Sequence, residues 1–414
     1  MRDRREPDGA EGDVGVTTSG TRAPTMTWRV LAVLAAVTAL APLSMDVYTP
    51  SLPDIQAELG GGDWLAQASI TACLLGIGVG QLAWGPLSDR VGRRPVILVG
   101  VAGWTFASVV SAVATTSAML VGARGIAGLS GAAGIVAARS VVRDLSHESR
   151  TVAARIGVLS LVTALAPILA PVAGTGIAAL WGWRGDFVAI AVLGAVILVA
   201  FATGVPESLP GVAPDEPPRR GLGHALRDRE LRWVAVAIGV QAFGFYAYVS
   251  TTSFVVEREL GYPPPVFALV FGTNALVMFG ANLVFRRVVR RRHPSFPLGV
   301  GLAVSTAGGV AMLAAAHAHA PVGVLWLTST AVAASAGFIL PGAHSWGQLT
   351  LVVSGAASAL TGAAQFLGGV LGSPVTGLVG PTAAHLGAVV AVGSGLGLLA
   401  WVAARRHRTQ DDPG

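Results

Sequence analysis

Apolar residues run along this chain in blocks of about twenty, with little alternation inside a block, and short polar clusters separate them almost to the end. A bilayer core about 30 Å thick is crossed by roughly 20 apolar residues in helical form. In lipid every backbone polar group must be satisfied internally, which leaves only helices and closed barrels. Barrel strands would alternate over about ten residues, so unbroken runs predict helices. Spans are expected at 28–49, 64–84, 96–115, 118–140, 153–177 and 186–205, where only "TTS" separates the third from the fourth. A polar, proline-rich connector, "PESLPGVAPDEPPRRGLGHALRDRELR", covers 206–232. Six more spans follow at 233–255, 265–285, 297–316, 321–341, 352–376 and 381–403. The predicted fold is an all-α integral membrane protein of twelve helices. Its organisation is a tail over 1–27, six-helix bundles over 28–205 and 233–404 joined by the connector, and a tail over 405–414.

Composition agrees with this pattern. The 414 residues are 53% hydrophobic and only 12% charged, whereas a soluble domain carries about 25% charged residues. The basic pI near 10.5 invites a nucleic-acid reading, since a basic face is the footprint of such binding. Distribution argues against it, because the arginines fall in short clusters between apolar runs. All 28 basic residues are arginine, as in a GC-rich bacterial genome. A single cysteine, Cys73, excludes an internal disulfide framework. Residues 1–26 lack the short apolar core and small-residue cleavage site of a signal peptide and read as a disordered tail.

Cytoplasmic loops carry the excess of positive charge. With the N-terminus inside, 24 arginines fall on the inner side and only Arg184 and Arg258 outside, while Arg124 and Arg139 lie within the fourth span. The expected address is a bacterial inner membrane, with both termini and the connector cytoplasmic. The halves also echo each other. "GQLAWGPLSDRVGRRP" starts at Gly80 and ends the second span, and "GANLVFRRVVRRRHP" starts at Gly280 and ends the eighth. Parallel six-helix repeats are a transporter architecture with the binding site at their interface. Arginine-rich turns placed for topology alone are the other reading of this echo.

These residues carry a resemblance. In "GPLSDRVGRRP", Gly85, Leu87, Asp89, Arg90, Gly92, Arg93 and Arg94 fill the pattern Gly-x-Leu-x-Asp-Arg-x-Gly-Arg-Arg found between helices two and three of the major facilitator superfamily. "MDVYTPSLPDI" at 45–55, "RGIAGLSGAAGIVAARSVVRDL" at 124–145, "LAPILAPVAG" at 165–174 and "SGAASALTGAAQFLGG" at 354–369 resemble its bicyclomycin-resistance (Bcr/CflA) branch of drug:proton antiporters. The likeness is weak through helices seven to ten. It implies that Asp89 faces the eleventh helix of the other half and that Arg93 pairs with an acid below helix four, here Asp144 beside Arg143. Such a cluster would latch the cytoplasmic side. Physically, Gly85 and Pro86 are expected to stop helix two, Gly92 to permit a tight turn, and Asp89 to cap a helix N-terminus.

A charge at the centre of a membrane helix costs about 2.5–3.5 kcal/mol on insertion scales, so it marks a functional candidate. The predicted spans hold one acid away from their ends, Asp46, and Arg124 is the only plausible buried partner for it. Burial favours the neutral acid and a guanidinium favours the charged one. An acid drawn both ways can exchange a proton as the cavity changes sides; a static pair fixing helix packing is the alternative. A second acid that some relatives of this branch carry earlier in helix one is missing from "VLAVLAAVTAL", which favours neutral or weakly polar drugs. Pro167, Pro171 and Gly174 occupy the helix-five stretch that the resemblance associates with antiport, with packing as the other reading. Tyr48, Gln241, Phe243, Phe245, Tyr246, Tyr248 and Asn274 are candidate cavity residues, although lipid-facing rings would look the same. "HAH" at 317–319 reads as a solvated loop and "GIGVG" at 76–80 as helix packing. There is no P-loop. The expectation is a monomeric exporter exchanging small amphipathic drugs for protons in the lipid bilayer, with no metal, cofactor, nucleic acid or enzymatic activity. A metabolite or nutrient transporter of the same fold is the alternative.

Overall fold

In a computed structural model of the chain, residues 26–411 are described except 61, 147, 210–221, 351–353, 373–374 and 376–379. Most of the N-terminal tail, the middle of the connector with Arg219 and Arg220, and the last three residues lie outside the described residues. The helices are α1 (Trp28–Asp46), α2 (Leu52–Leu59), α3 (Gly62–Val91), α4 (Arg93–Ala112), α5 (Ser117–Asp144), α6 (Ser149–Gly204) and α7 (Leu222–Ala225). The second half continues with α8 (Arg229–Phe254), α9 (Pro264–Val288), α10 (Ser295–His317), α11 (Val322–Thr350), α12 (Ser354–Gly372) and α13 (Ala383–Asp411). Side-chain oxygens start several of them by accepting a backbone N–H: Thr27 from Val30 at 3.3 Å, Thr116 from Met119 at 3.2 Å, and Asp228 from Leu231 at 2.7 Å.

Helix α6 is two spans in one. Its backbone leaves helical geometry only at Gly182, with φ 67° and ψ 179°, a region that favours glycine. The eight residues expected as a loop between the fifth and sixth spans therefore reduce to a one-residue break. Counting 149–181 and 183–204 separately, the described residues form twelve long helices.

They pack as two lobes of six. In the first lobe α5 lies between α3 and α4, and α6 packs on α1 and α4; in the second, α8 packs on α12 and α13, and α10 on α11 and α13. Two seams join the lobes, α3 with α12 and the first half of α6 with α9. Small residues let backbones approach, as is usual where lipid supplies no hydrophobic drive. A Cβ on Gly128 would come 2.1 Å from Cys73 O, and one on Gly76 would come 2.3 Å from Gly125 O.

The end of the first lobe farthest from Arg93 is closed by its own chain. After α1, residues 49–51 form a 3-10 turn and α2 folds back over the lobe. Ser51 Oγ donates to Asp186 Oδ2 at 2.6 Å, Trp183 Nε1 donates to Glu58 Oε2 at 2.7 Å, and Arg184 pairs with Glu58. Held by both groups, the exposed Glu58 carboxyl sits below its ordinary range, with the Trp183 bond the larger cause.

Candidate functional site

The turn between α3 and α4 is built from both lobes. Helix α3 runs through Pro86 and stops at Val91, which corrects the expectation that Gly85 and Pro86 end it. A proline inside a helix removes one backbone bond; here packing holds the last turns together. A Cβ on Gly85 would lie 2.5 Å from both Ala359 Cβ and Gly355 O, so this glycine serves the seam with α12. Gly92 makes the turn, with φ 107°.

Asp89, 5% exposed, reaches across the seam. Its Oδ1 accepts from Gly355 N at 3.1 Å and its Oδ2 from Ala356 N at 3.0 Å, in the first turn of α12. A helix N-terminus presents free N–H groups and the positive end of the dipole, which suits a carboxylate. Arg93 Nη1 pairs with Asp89, and its Nε donates to Asp144 Oδ2 at 3.0 Å, so one guanidinium ties α3, α4 and α5 together. Arg143 Nη1 donates across the lobes to Gln348 O at 2.7 Å. Glu207, unremarked in the sequence, accepts the backbone N–H groups of Arg93 and Arg94, each at 3.0 Å, and so caps α4. Arg94 Nη2 donates to Ala202 O at 2.6 Å. Arg90 is exposed and makes no hydrogen bond or ion pair among the described residues. The lobes are thus closed on the arginine-rich face.

Arg124 and Asp46 do not form the expected direct pair among the described residues, and the reason is helical phase. Arg124, fully buried, donates to Ser44 Oγ at 2.7 Å and to Ser44 O, near the end of α1. The last carbonyls of α1 lack intrahelical partners and favour a cation. The Arg124 guanidinium also lies 4.6 Å from the centroid of the Tyr48 ring. Asp46 is two residues beyond Ser44, about 200° further round the helix at 3.6 residues per turn. Its carboxylate therefore points elsewhere, half-buried, with no hydrogen bond among the described residues. The Arg124 charge still acts on it through space. So does its own charge on Tyr246 of the other lobe.

The cavity candidates divide. Tyr48 is core: it is fully buried, its OH bonds Ser69 Oγ at 2.8 Å, and Phe187 lies 5.2 Å from its ring. Tyr248 and Asn274 form a packing network, in which Asn274 Nδ2 donates to Tyr248 Oη at 2.7 Å and to Ser329 Oγ at 3.0 Å, and Thr330 Oγ1 donates to Asn274 Oδ1 at 2.6 Å. Gln241 is buried beside Gly397 of α13, away from the first lobe. Phe245 packs against Tyr246 and Tyr248, each with ring centroids 6.0 Å away. Of the second-lobe candidates, Tyr246 comes within electrostatic reach of Asp46 in the first lobe, and its ring packs on Gly369 and Phe366 of α12. A cavity of about 710 Å³ lies between α8, α12 and α13 and is lined by Phe243 but by none of the other candidates.

In α6 the helix passes unbroken through Pro167 and Pro171. Gly174 is the contact point, where a Cβ would lie 1.8 Å from Val47 O. Among the buried polar side chains that sequence reading missed are Asp186, Gln81 and His344. The first stood at a predicted span end, and the others looked like isolated polar residues in apolar runs.

Two six-helix lobes that meet along two seams and latch at one face define a multi-pass membrane transporter. The chain belongs to the Major Facilitator Superfamily, whose sequence profile matches residues 34–373. It is 30% identical over 382 residues to the uncharacterized MFS-type transporter YdgK of Bacillus subtilis, covering 89% of this chain and 93% of that one. It is 26% identical over 369 residues to the bicyclomycin resistance protein homolog of Haemophilus influenzae, covering 85% and 90%, in line with the branch resemblance. The solved E. coli fucose:proton symporter FucP superposes with TM-score 0.73 at 15% identity, covering 91% of this chain and 97% of that one, and so shares its fold.

Proposed function

We propose that the protein exports small amphipathic drugs in exchange for protons, as a monomer in the bacterial inner membrane, with the arginine-rich face and both termini cytoplasmic. One observation carries the coupling: Asp46 is a half-buried carboxylate at the end of α1 that no described side chain holds by a hydrogen bond. A carboxylate so placed is free to trade its proton. Its charged form draws on the field of Arg124, while low-dielectric surroundings favour the neutral form. Tyr246 brings the second lobe into the same field, so lobe movement alters the balance. The name of the Haemophilus relative supports a drug as cargo.

The Asp89 latch holds the cytoplasmic side shut while the far side admits protons. Protonated Asp46 then lets the lobes swing, and the proton leaves to the cytoplasm as substrate binds. In proteoliposomes, Asp46→Asn abolishes exchange driven by a pH gradient while the folded protein survives gel filtration. Full coupling in that variant would sink the reading. In a pump-deleted bacterium the wild type raises antibiotic tolerance and Asp46→Asn does not.

A further inference from the structure

Arg139 lies within α5, 8% exposed, and forms no hydrogen bond or ion pair among the described residues; its buried Nη1 has no partner. At about 1.5 Å per residue it sits roughly one and a half turns from the latch end of its helix. Across the boundary in the second lobe is His344, 2% exposed and within electrostatic reach of Arg139. Its Nε2 donates to Gln365 Oε1 at 2.8 Å, and its Nδ1 lies 3.3 Å from Thr361 Oγ1. On the next helix of the first lobe, Gln81 is fully buried with both amide atoms unpartnered. It lies flat against Gly362 of α12, where a Cβ would fall 1.5 Å from Gln81 Oε1.

A buried guanidinium without an anion is costly in a low-dielectric interior, and so is a buried amide without partners. Arg143, one turn along, is spent on Gln348 O, and Asp144 is spent on Arg93. No described carboxylate neutralises Arg139. The unmet groups belong to the first lobe, and the lobe boundary covers them while the latch is closed. Opening of the latch would part Arg139 and Gln81 from His344 and Gln365 and turn them to the space between the lobes.

We propose that Arg139, with Gln81 and the His344–Gln365 pair, forms an interior recognition site for a carboxylate-bearing amphipathic compound. This rests on the transport reading above and replaces the sequence-based preference for neutral cargo. A guanidinium binds a carboxylate through two parallel charge-assisted bonds. Gln81 offers a donor and an acceptor at the same lobe boundary, while a cationic compound would meet only repulsion. An uncharged compound would leave Arg139 as it stands.

The test is equilibrium binding to the full chain in nanodiscs, without a gradient, using three probes of one shape: 1-naphthoate, 1-naphthamide and 1-naphthylmethylammonium. The wild type should bind naphthoate at least tenfold more tightly than the amide and the ammonium weakest. Arg139→Gln should erase the naphthoate advantage and Arg139→Lys keep part of it. Gln81→Leu should weaken naphthoate and naphthamide together. If Arg139→Gln does not fold, the Arg139→Lys and Gln81→Leu results decide. Equal wild-type affinity for acid and amide, or an advantage that survives in Arg139→Gln, overturns the proposal. Loss of gradient-driven exchange with the naphthoate preference intact would instead overturn proton antiport and leave this site standing.

Discussion

The stretches that begin at Gly80 and Gly280 each run from glycine through apolar residues to arginines and a proline. In the first, Asp89 binds two backbone amides of α12 and a buried Arg93. In the second, no acid occurs between 280 and 294, and Arg287, Arg290, Arg291 and Arg292 are exposed. The N-terminus of α10 is served locally instead, by His293 Nδ1 accepting from Ser295 N at 3.1 Å. The glycines differ too. A Cβ on Gly80 would lie 2.6 Å from Leu129 O, whereas Gly280 has nothing within 4 Å. The second stretch meets the other lobe by packing, with Phe285 and Val289 against Ala153 of α6, whereas in the first an acid adds a polar tie between the lobes.

The comparison breaks most visibly at Asp89. Asp89→Ala strips two amides of their acceptor and leaves Arg93 short of a partner, and breaking a buried pair costs about 3–5 kcal/mol. Spin-label distances between the latch ends of α3 and α12 should lengthen, and exchange should fall at least tenfold. Next, Gly80→Ala should cost about 1–3 kcal/mol through overpacking, read as a lower melting temperature in detergent. Gly280→Ala should be neutral or stabilising by up to about 1 kcal/mol, as in an open helix interior. Glu207→Ala should lower stability by about 0.5–2 kcal/mol through loss of a helix cap. The spin-label distances should stay put, because Glu207 caps α4 within one lobe. Arg290→Gln should change both readouts least, within about 1 kcal/mol as for exposed charges.

Much of this architecture was written in the sequence as runs of apolar residues long enough for a bilayer, and among the described residues ten helices qualify on length and apolarity alone. The contacts around Asp89 were legible too, because the family pattern sets Asp89 toward α12 and Arg93 toward the acid below helix four. Side-chain direction was not legible. Asp46 and Arg124 share a depth but not a helical face, a matter of two residues in phase that elimination by charge cannot see. Tyr48, Tyr248 and Asn274 resemble pocket residues in type, yet each finds its partners in the core. Gly85 and Pro86 look like a stop signal, but packing against α12 carries the helix past them. Arg139, Gln81 and His344 come from three helices, and only the closed lobes bring them to one boundary.

The one-residue joint at Gly182 ties together two helices with different neighbours. The first half of α6 lies along the seam with α9, and the second half turns Val188, Val192, Val196 and Val199 outward, each more than half exposed. With no slack between them, a tilt of one drags the other, so acyl-chain crowding against those valines becomes a torque on the contact between the lobes.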